Sequence, residues 1–102
     1  MAIVDITIIP IGTETTSVSD YVAEIQKVLK SYQEEKGIEF QLTPMSTIIE
    51  GELPVLFETV QALHEVVFNK GIMRIATNIR IDDRRDKKSN MKSKLDSVYN
   101  KM

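Results

Sequence analysis

The residues able to do chemistry in this chain are few, and most of them lack the partners that chemistry needs. There is one histidine, His64, and there is no cysteine. A catalytic or metal-binding histidine ordinarily works with a second ligand or a carboxylate. His64 falls four residues after Val60, at the edge of an apolar stripe, so a half-buried histidine with a local hydrogen bond is the plainer reading. Without cysteine, a disulfide scaffold, a Cys-based zinc site and a thiol nucleophile are all excluded. No metal or catalytic cofactor is expected. The run Asp82-Asp83-Arg84-Arg85-Asp86 offers paired carboxylates to a hard cation. Its interleaved arginines compete for the same carboxylates, which favours a salt-bridged loop.

Other candidates are weaker. Thr13 to Ser19 is rich in hydroxyls but contains neither a Gly-x-Ser-x-Gly elbow nor a phosphate-cradling loop. Thr13 and Ser17 can instead satisfy backbone amides at a helix start. Glu50-Gly51-Glu52 puts carboxylates at a strand end, where a cationic ligand or plain water would meet them.

The elements that must position these residues follow from periodicity. Ile3 to Ile11 reads as a strand, with Val4, Ile6 and Ile8 on one side and Ile3, Asp5, Thr7 and Ile9 on the other. Val18, Val22, Ile25, Leu29 and Tyr32 recur at helical spacing. Ser17 or Ser19 can cap that helix, Ser17-Val18-Ser19-Asp20 reads like a capping box, and Gly37 stops it. Ile38 to Thr43 alternates as a half-buried strand, Pro44 breaks it, and Met45 to Gly51 forms a third strand through a hairpin. Pro54 opens a second helix with a stripe of Leu56, Val60, Leu63 and Val67, ended by Gly71. Ile72 to Ile81 is a fourth strand, presenting Arg74, Ala76, Asn78 and Arg80 on one face.

The order β-α-β-β-α-β has a faint internal repeat: Thr7-Ile8-Ile9 recurs as Thr47-Ile48-Ile49, and Lys36-Gly37-Ile38 as Lys70-Gly71-Ile72. Together these predict an α+β, ferredoxin-like βαββαβ sandwich over residues 1–81. Two helices cover one face of a four-stranded antiparallel sheet and leave the other open. Residues 82–102 are a charged loop and a short helix marked by Met91, Leu95, Val98 and Met102, with Ser89 or Asn90 as its cap. That narrow stripe suits docking on the domain or on a neighbouring subunit.

Composition narrows the function classes. The chain has 13 Lys+Arg and 15 Asp+Glu, a net charge of −2. Phosphate neutralisation needs a surplus of cations, so a general nucleic-acid binder is not expected. Strand positions that carry stacking aromatics in RNA-binding ferredoxin-like domains here hold Asp5, Thr7, Arg74 and Ala76. Apolar residues at 42 % are too many for disorder, and no run approaches the roughly 20 residues of a membrane helix. A soluble, cytoplasmic, single-domain protein is the expectation. The open face would mix charges of both signs with an apolar strip of Ile9, Ala76 and Ile48, as a subunit contact or a small-molecule pocket at its edge would.

Taken in order, Pro10-Ile11-Gly12-Thr13, Ser17 to Val22, Pro44 to Gly51, the isolated His64, and Arg74 to Arg84 resemble the small thiamine-binding protein family, related to the YkoF-like hydroxymethylpyrimidine/thiamine-binding proteins. The resemblance covers nearly the whole chain. One departure is Ser46, where the family usually has Gly. The resemblance implies a ferredoxin-like fold, a homodimer or a tetramer of two dimers, and non-catalytic binding of thiamine or its pyrimidine moiety. Thiamine joins a cationic thiazolium to an aminopyrimidine with donors and acceptors. Asp5, Thr7, Ile9, Met45, Thr47 and Glu50 could supply carboxylate, hydroxyl and apolar partners, with Thr13 and Ser17 at the same sheet end. The rival readings are a structural or regulatory homo-oligomer without a small ligand and, less favoured, an enzyme whose site two subunits share.

Overall fold

In the computed structural model, residues 1–12, 19–86 and 90–102 are described. The elements are β1 (Ala2–Ile11), α1 (Ser19–Lys36), β2 (Glu39–Leu42), β3 (Thr47–Gly51), α2 (Leu53–Phe68), β4 (Arg74–Asp83) and α3 (Met91–Lys101). The strands form one antiparallel sheet in the order β2-β3-β1-β4, the ferredoxin-like arrangement read from the sequence.

Strict alternation in β1 sets the layers. Ala2, Val4 and Ile6 are buried, and their cross-strand partners Gly51, Ile49 and Thr47 on β3 point the same way. Leu29 from α1 and Leu56 and Leu63 from α2 close over them with almost no exposure. Side chains of period two in the strands thus meet stripes of period 3.6 in the helices. The opposite phase places Ile3, Asp5, Thr7, Ile9, Ile48, Glu50, Arg74, Ala76, Asn78, Arg80 and Asp82 on the open face.

Two glycines have a clear physical task. Gly37 ends α1 at φ +73°, a left-handed turn that a Cβ would strain. Gly51 instead answers a close approach. A Cβ there would meet Ile38 Cγ2 at 3.2 Å and Leu56 Cδ2 at 3.4 Å, so the start of α2 packs directly on the strand backbone.

Element ends depart from the sequence expectation in instructive ways. The fourth strand runs through Asp83, two residues past Ile81, because Ala2 and Ile3 of β1 offer backbone partners to Asp83 and Asp82. The charged loop therefore starts later, and Arg85 pairs back onto Asp83 while Arg84 pairs with Asp86. The third strand begins at Thr47 rather than Met45, since Met45 and Ser46 belong to the turn. Asn90 caps α3 by a reciprocal box, accepting from the Ser93 amide at 2.7 Å while the Ser93 hydroxyl accepts from the Asn90 amide at 2.9 Å. The caps read at Ser17 and Ser89 lie outside the described residues.

α3 stands off the body. The radius of gyration is 14.7 Å, where about 12.8 Å is typical for this length. From Lys92 onward every residue of α3 is exposed. No helix among the described residues is long and apolar enough to cross a membrane.

Candidate functional site

A cavity of about 460 Å³ opens where the C-terminal half of β1 meets the first turns of α1 and the turn between β2 and β3. The volume falls within the roughly 300–1,000 Å³ of small-molecule sites. Ile6, Ile8, Ile9 and Pro10 come from β1, Val22 and Ile25 from α1, and Leu42 and Met45 from the hairpin. Four hydroxyl residues join this apolar lining: Thr7, Thr43, Ser46 and Thr47.

Local sequence explains the shape. Pro44 cannot continue the β2 ladder, so the chain turns over Thr43-Pro44-Met45-Ser46. Thr43 secures that turn. Its amide donates to the Ser46 carbonyl at 2.9 Å, and its hydroxyl both donates to the same carbonyl at 2.9 Å and accepts from the Ser46 amide at 3.0 Å. Met45 is left at the tip, 85 % exposed, as a flexible apolar flap beside the opening. Ser46, where the resemblance leads one to expect glycine, is accommodated within this turn.

Of the residues read as ligand-binding, the structure brings Thr7, Ile9, Met45 and Thr47 together at this cavity. Thr47 faces the helices and is buried, whereas Thr7 and Ile9 lie on the open face, so the cavity wraps around the end of the sheet. Asp5 is adjacent but separate. One of its carboxylate oxygens accepts from Arg80 Nη2 at 3.1 Å, and Oδ1 is shielded from solvent without a hydrogen-bond partner. Asp5, Thr7, Asn78 and Arg80 line a shallower hollow of about 240 Å³, making Thr7 common to both recesses.

Glu50 lies elsewhere. It pairs with Ile3 at the other end of the sheet, is 7 % exposed, and accepts the Met91 amide of α3 at 2.6 Å. Its carboxylate holds the start of the C-terminal helix, a favourable place for negative charge. Thr13 and Ser17 lie outside the described residues. Sequence reading missed Leu42, Thr43 and Ser46 as lining; the available signal was the hydroxyl–Pro–x–hydroxyl turn itself.

His64 has an ordinary structural explanation. Its Nδ1 lies 2.7 Å from the Thr77 hydroxyl and its ring meets Phe68 edge-on at 5.0 Å. It ties α2 to β4. A second recess of about 490 Å³ occupies the opposite end of the sheet, between Met1, Ala2, the start of α2 and Asp83-Arg84-Arg85. Hydrogen bonding from Arg85 holds the Asp83 carboxyl below its ordinary value, and Asp86 and Asp83 raise the guanidinium values of Arg84 and Arg85 respectively.

Residues 4–99 match the family model described as thiamine-binding protein. The chain belongs to the thiamine-binding protein family. It is 65 % identical to the UPF0045 protein YqgV of Bacillus subtilis (strain 168), over 96 % of this chain and 94 % of that one. It is also 38 % identical to a UPF0045 protein of Methanothermobacter thermautotrophicus over the full length of both. Among solved structures, MJ1052 of Methanocaldococcus jannascii superposes with a TM-score of 0.85 at 28 % identity, covering 96 % of this chain and 95 % of that chain. Family membership and the βαββαβ sandwich therefore agree.

Proposed function

We propose that this protein binds thiamine or its hydroxymethylpyrimidine moiety without transforming it, and that it does so as a homo-oligomer. The carrying observation is the cavity between β1, α1 and the β2–β3 turn. Its apolar walls suit a flat pyrimidine ring, and the hydroxyls of Thr7 and Thr47 suit the ring nitrogens and exocyclic amine, which need partners once taken out of water. Asp5, whose other oxygen accepts from Arg80, keeps Oδ1 without a hydrogen-bond partner and lines a hollow with Thr7, so one carboxylate oxygen stands close to the cavity. Family membership supports the same ligand class.

Titration calorimetry with thiamine and with the free pyrimidine tests this directly. Saturable heat from the wild-type chain, reduced at least tenfold in affinity by Thr47→Val, is the expected result. No heat at millimolar ligand from correctly folded protein overturns it.

The reading without a small ligand draws on one observation, the use of Glu50 to hold α3. Here a carboxylate available to a ligand serves the architecture instead. Glu50→Gln separates the two readings: binding that persists while α3 loosens favours the ligand-binding protein.

A further inference from the structure

The cavity between β1, α1 and the β2–β3 turn has no ionisable side chain in its lining among the described residues. On the open face, where it wraps past Thr7 and Ile9, charge comes from β4. Arg80 stands opposite Asp5 there, and Arg74 opposite Ile11. Asp5 offsets Arg80, with Oδ2 and Nη2 3.1 Å apart. The chain has four arginines, and Arg80, Arg84 and Arg85 each have a carboxylate partner. Arg74 has none among the described residues. An uncharged cavity thus opens beside one uncompensated guanidinium.

Arg74 is also placed to reach a guest. In the antiparallel ladder Arg74 faces Ile11 and Ala76 faces Ile9, all four on the open face. Arg74 and Ile9 are therefore diagonal neighbours, about 7–8 Å apart, a separation that long side chains span. Ile9 and Ile11, 46 % and 39 % exposed, form a short apolar step between the cavity and the guanidinium. Arg74 itself is exposed. At the other end of the sheet Arg84 and Arg85 offer no equivalent, because Asp86 and Asp83 already hold them.

We propose that the ligand of this cavity is a phosphomonoester, with its ring among the apolar walls and its phosphate on Arg74. This rests on the ligand-binding reading above and names the form of that ligand. Both candidate ligands have a primary alcohol able to carry the group: the hydroxymethyl of the pyrimidine and the hydroxyethyl of thiamine. A guanidinium suits the task because its planar fork offers parallel donors to two phosphate oxygens and its charge is permanent. At an exposed rim the phosphate keeps much of its hydration, so the contact avoids the heavy cost of burying charge. The free alcohols would fill the cavity and leave Arg74 to water. For thiamine the ester does more, turning a cation that Arg74 repels into a net anion that it attracts.

Titration calorimetry at low ionic strength tests this with two pairs of probes: the pyrimidine alcohol and its monophosphate, and thiamine and thiamine monophosphate. In at least one pair the wild-type chain should bind the ester about tenfold or more tightly than the alcohol, the range of a hydrogen-bonded contact between charged groups. The pair that shows the preference identifies which alcohol carries the phosphate. Arg74→Gln should bring that ratio to about one. Arg74→Lys, which keeps the charge and loses the fork, should retain part of it. Arg85→Gln, at the opposite end of the sheet, should leave it at the wild-type value. The preference should shrink as salt is raised, and as pH falls below about 6, where a phosphomonoester loses its second charge. Equal binding of ester and alcohol in both pairs overturns the proposal and leaves the ligand-binding reading standing. A preference that survives Arg74→Gln overturns it as well. Heat from none of the four probes overturns the ligand-binding reading and the phosphate with it.

Discussion

The two ends of the sheet hold recesses of nearly equal size and opposite chemistry. At the end formed by Ile6–Pro10 and the Thr43–Thr47 turn, about 460 Å³ is walled by isoleucine, valine, leucine and methionine with hydroxyls among them. At the end formed by Met1, Leu53 and Arg85, about 490 Å³ is bordered by ionised side chains, of which Asp83 and Arg85 pair with each other. Size does not distinguish them. What does is how the polar groups are held: the Thr7 and Thr47 hydroxyls beside an apolar wall can rotate to a new partner, whereas Arg85 would have to leave Asp83 first. Exposed ion pairs contribute little to stability, so the charged end serves to finish β4 rather than to drive folding.

The largest effect comes from damaging the layer that both ends share. Ile49 is fully buried beneath the helices, and Ile49→Ala should cost about 2–5 kcal/mol. A melting temperature lowered by roughly 10 °C or more, with ligand heat reduced alongside, is the expected outcome. The comparison itself is sharpened by pairing one change at each end. Thr47→Val should weaken thiamine binding tenfold or more, about 1.4 kcal/mol; Asp83→Asn should leave it unaltered. Equal losses from both would show that the ends do not divide as described. Next comes Glu50→Gln, which removes a charged acceptor from the first amide of α3 and should cost about 1–2 kcal/mol, seen as faster proteolytic clipping near residue 90. The smallest effect is at Asp83. Its folded value lies below the ordinary carboxylate value because Arg85 donates to it. That contribution is complete above the ordinary carboxylate range and is lost as pH falls through the lowered value. In Arg85→Gln, the Asp83 carbon resonance should titrate at higher pH than in the wild type.

Much of this architecture was legible because the strands alternate so strictly. Val4, Ile6 and Ile8 against Asp5 and Thr7 fix which face of β1 meets the helices, and the cross-strand register then carries that choice to Ile49 and Ile81. Arg80 and Asp5 were both readable as open-face residues for the same reason. The cavity was legible only in part. Thr7, Ile9, Met45 and Thr47 converge because a strand end and a hairpin turn meet, yet Thr43 looked like the last residue of a strand when its hydroxyl in fact holds the turn. Glu50 shows the other limit. Its position on β3 was readable, but its partner is an amide 41 residues away, set by where α3 lands rather than by any local pattern.

That single anchored amide has a thermodynamic corollary. α3 has eleven residues, short of the roughly 12–15 at which isolated helices become even marginally stable in water. Beyond its cap and first turn it has almost no packing within its own chain. Its helicity should therefore hang on that one carboxylate: in Glu50→Gln, far-ultraviolet circular dichroism should lose the share of a single short helix while the sheet and the two packed helices keep theirs.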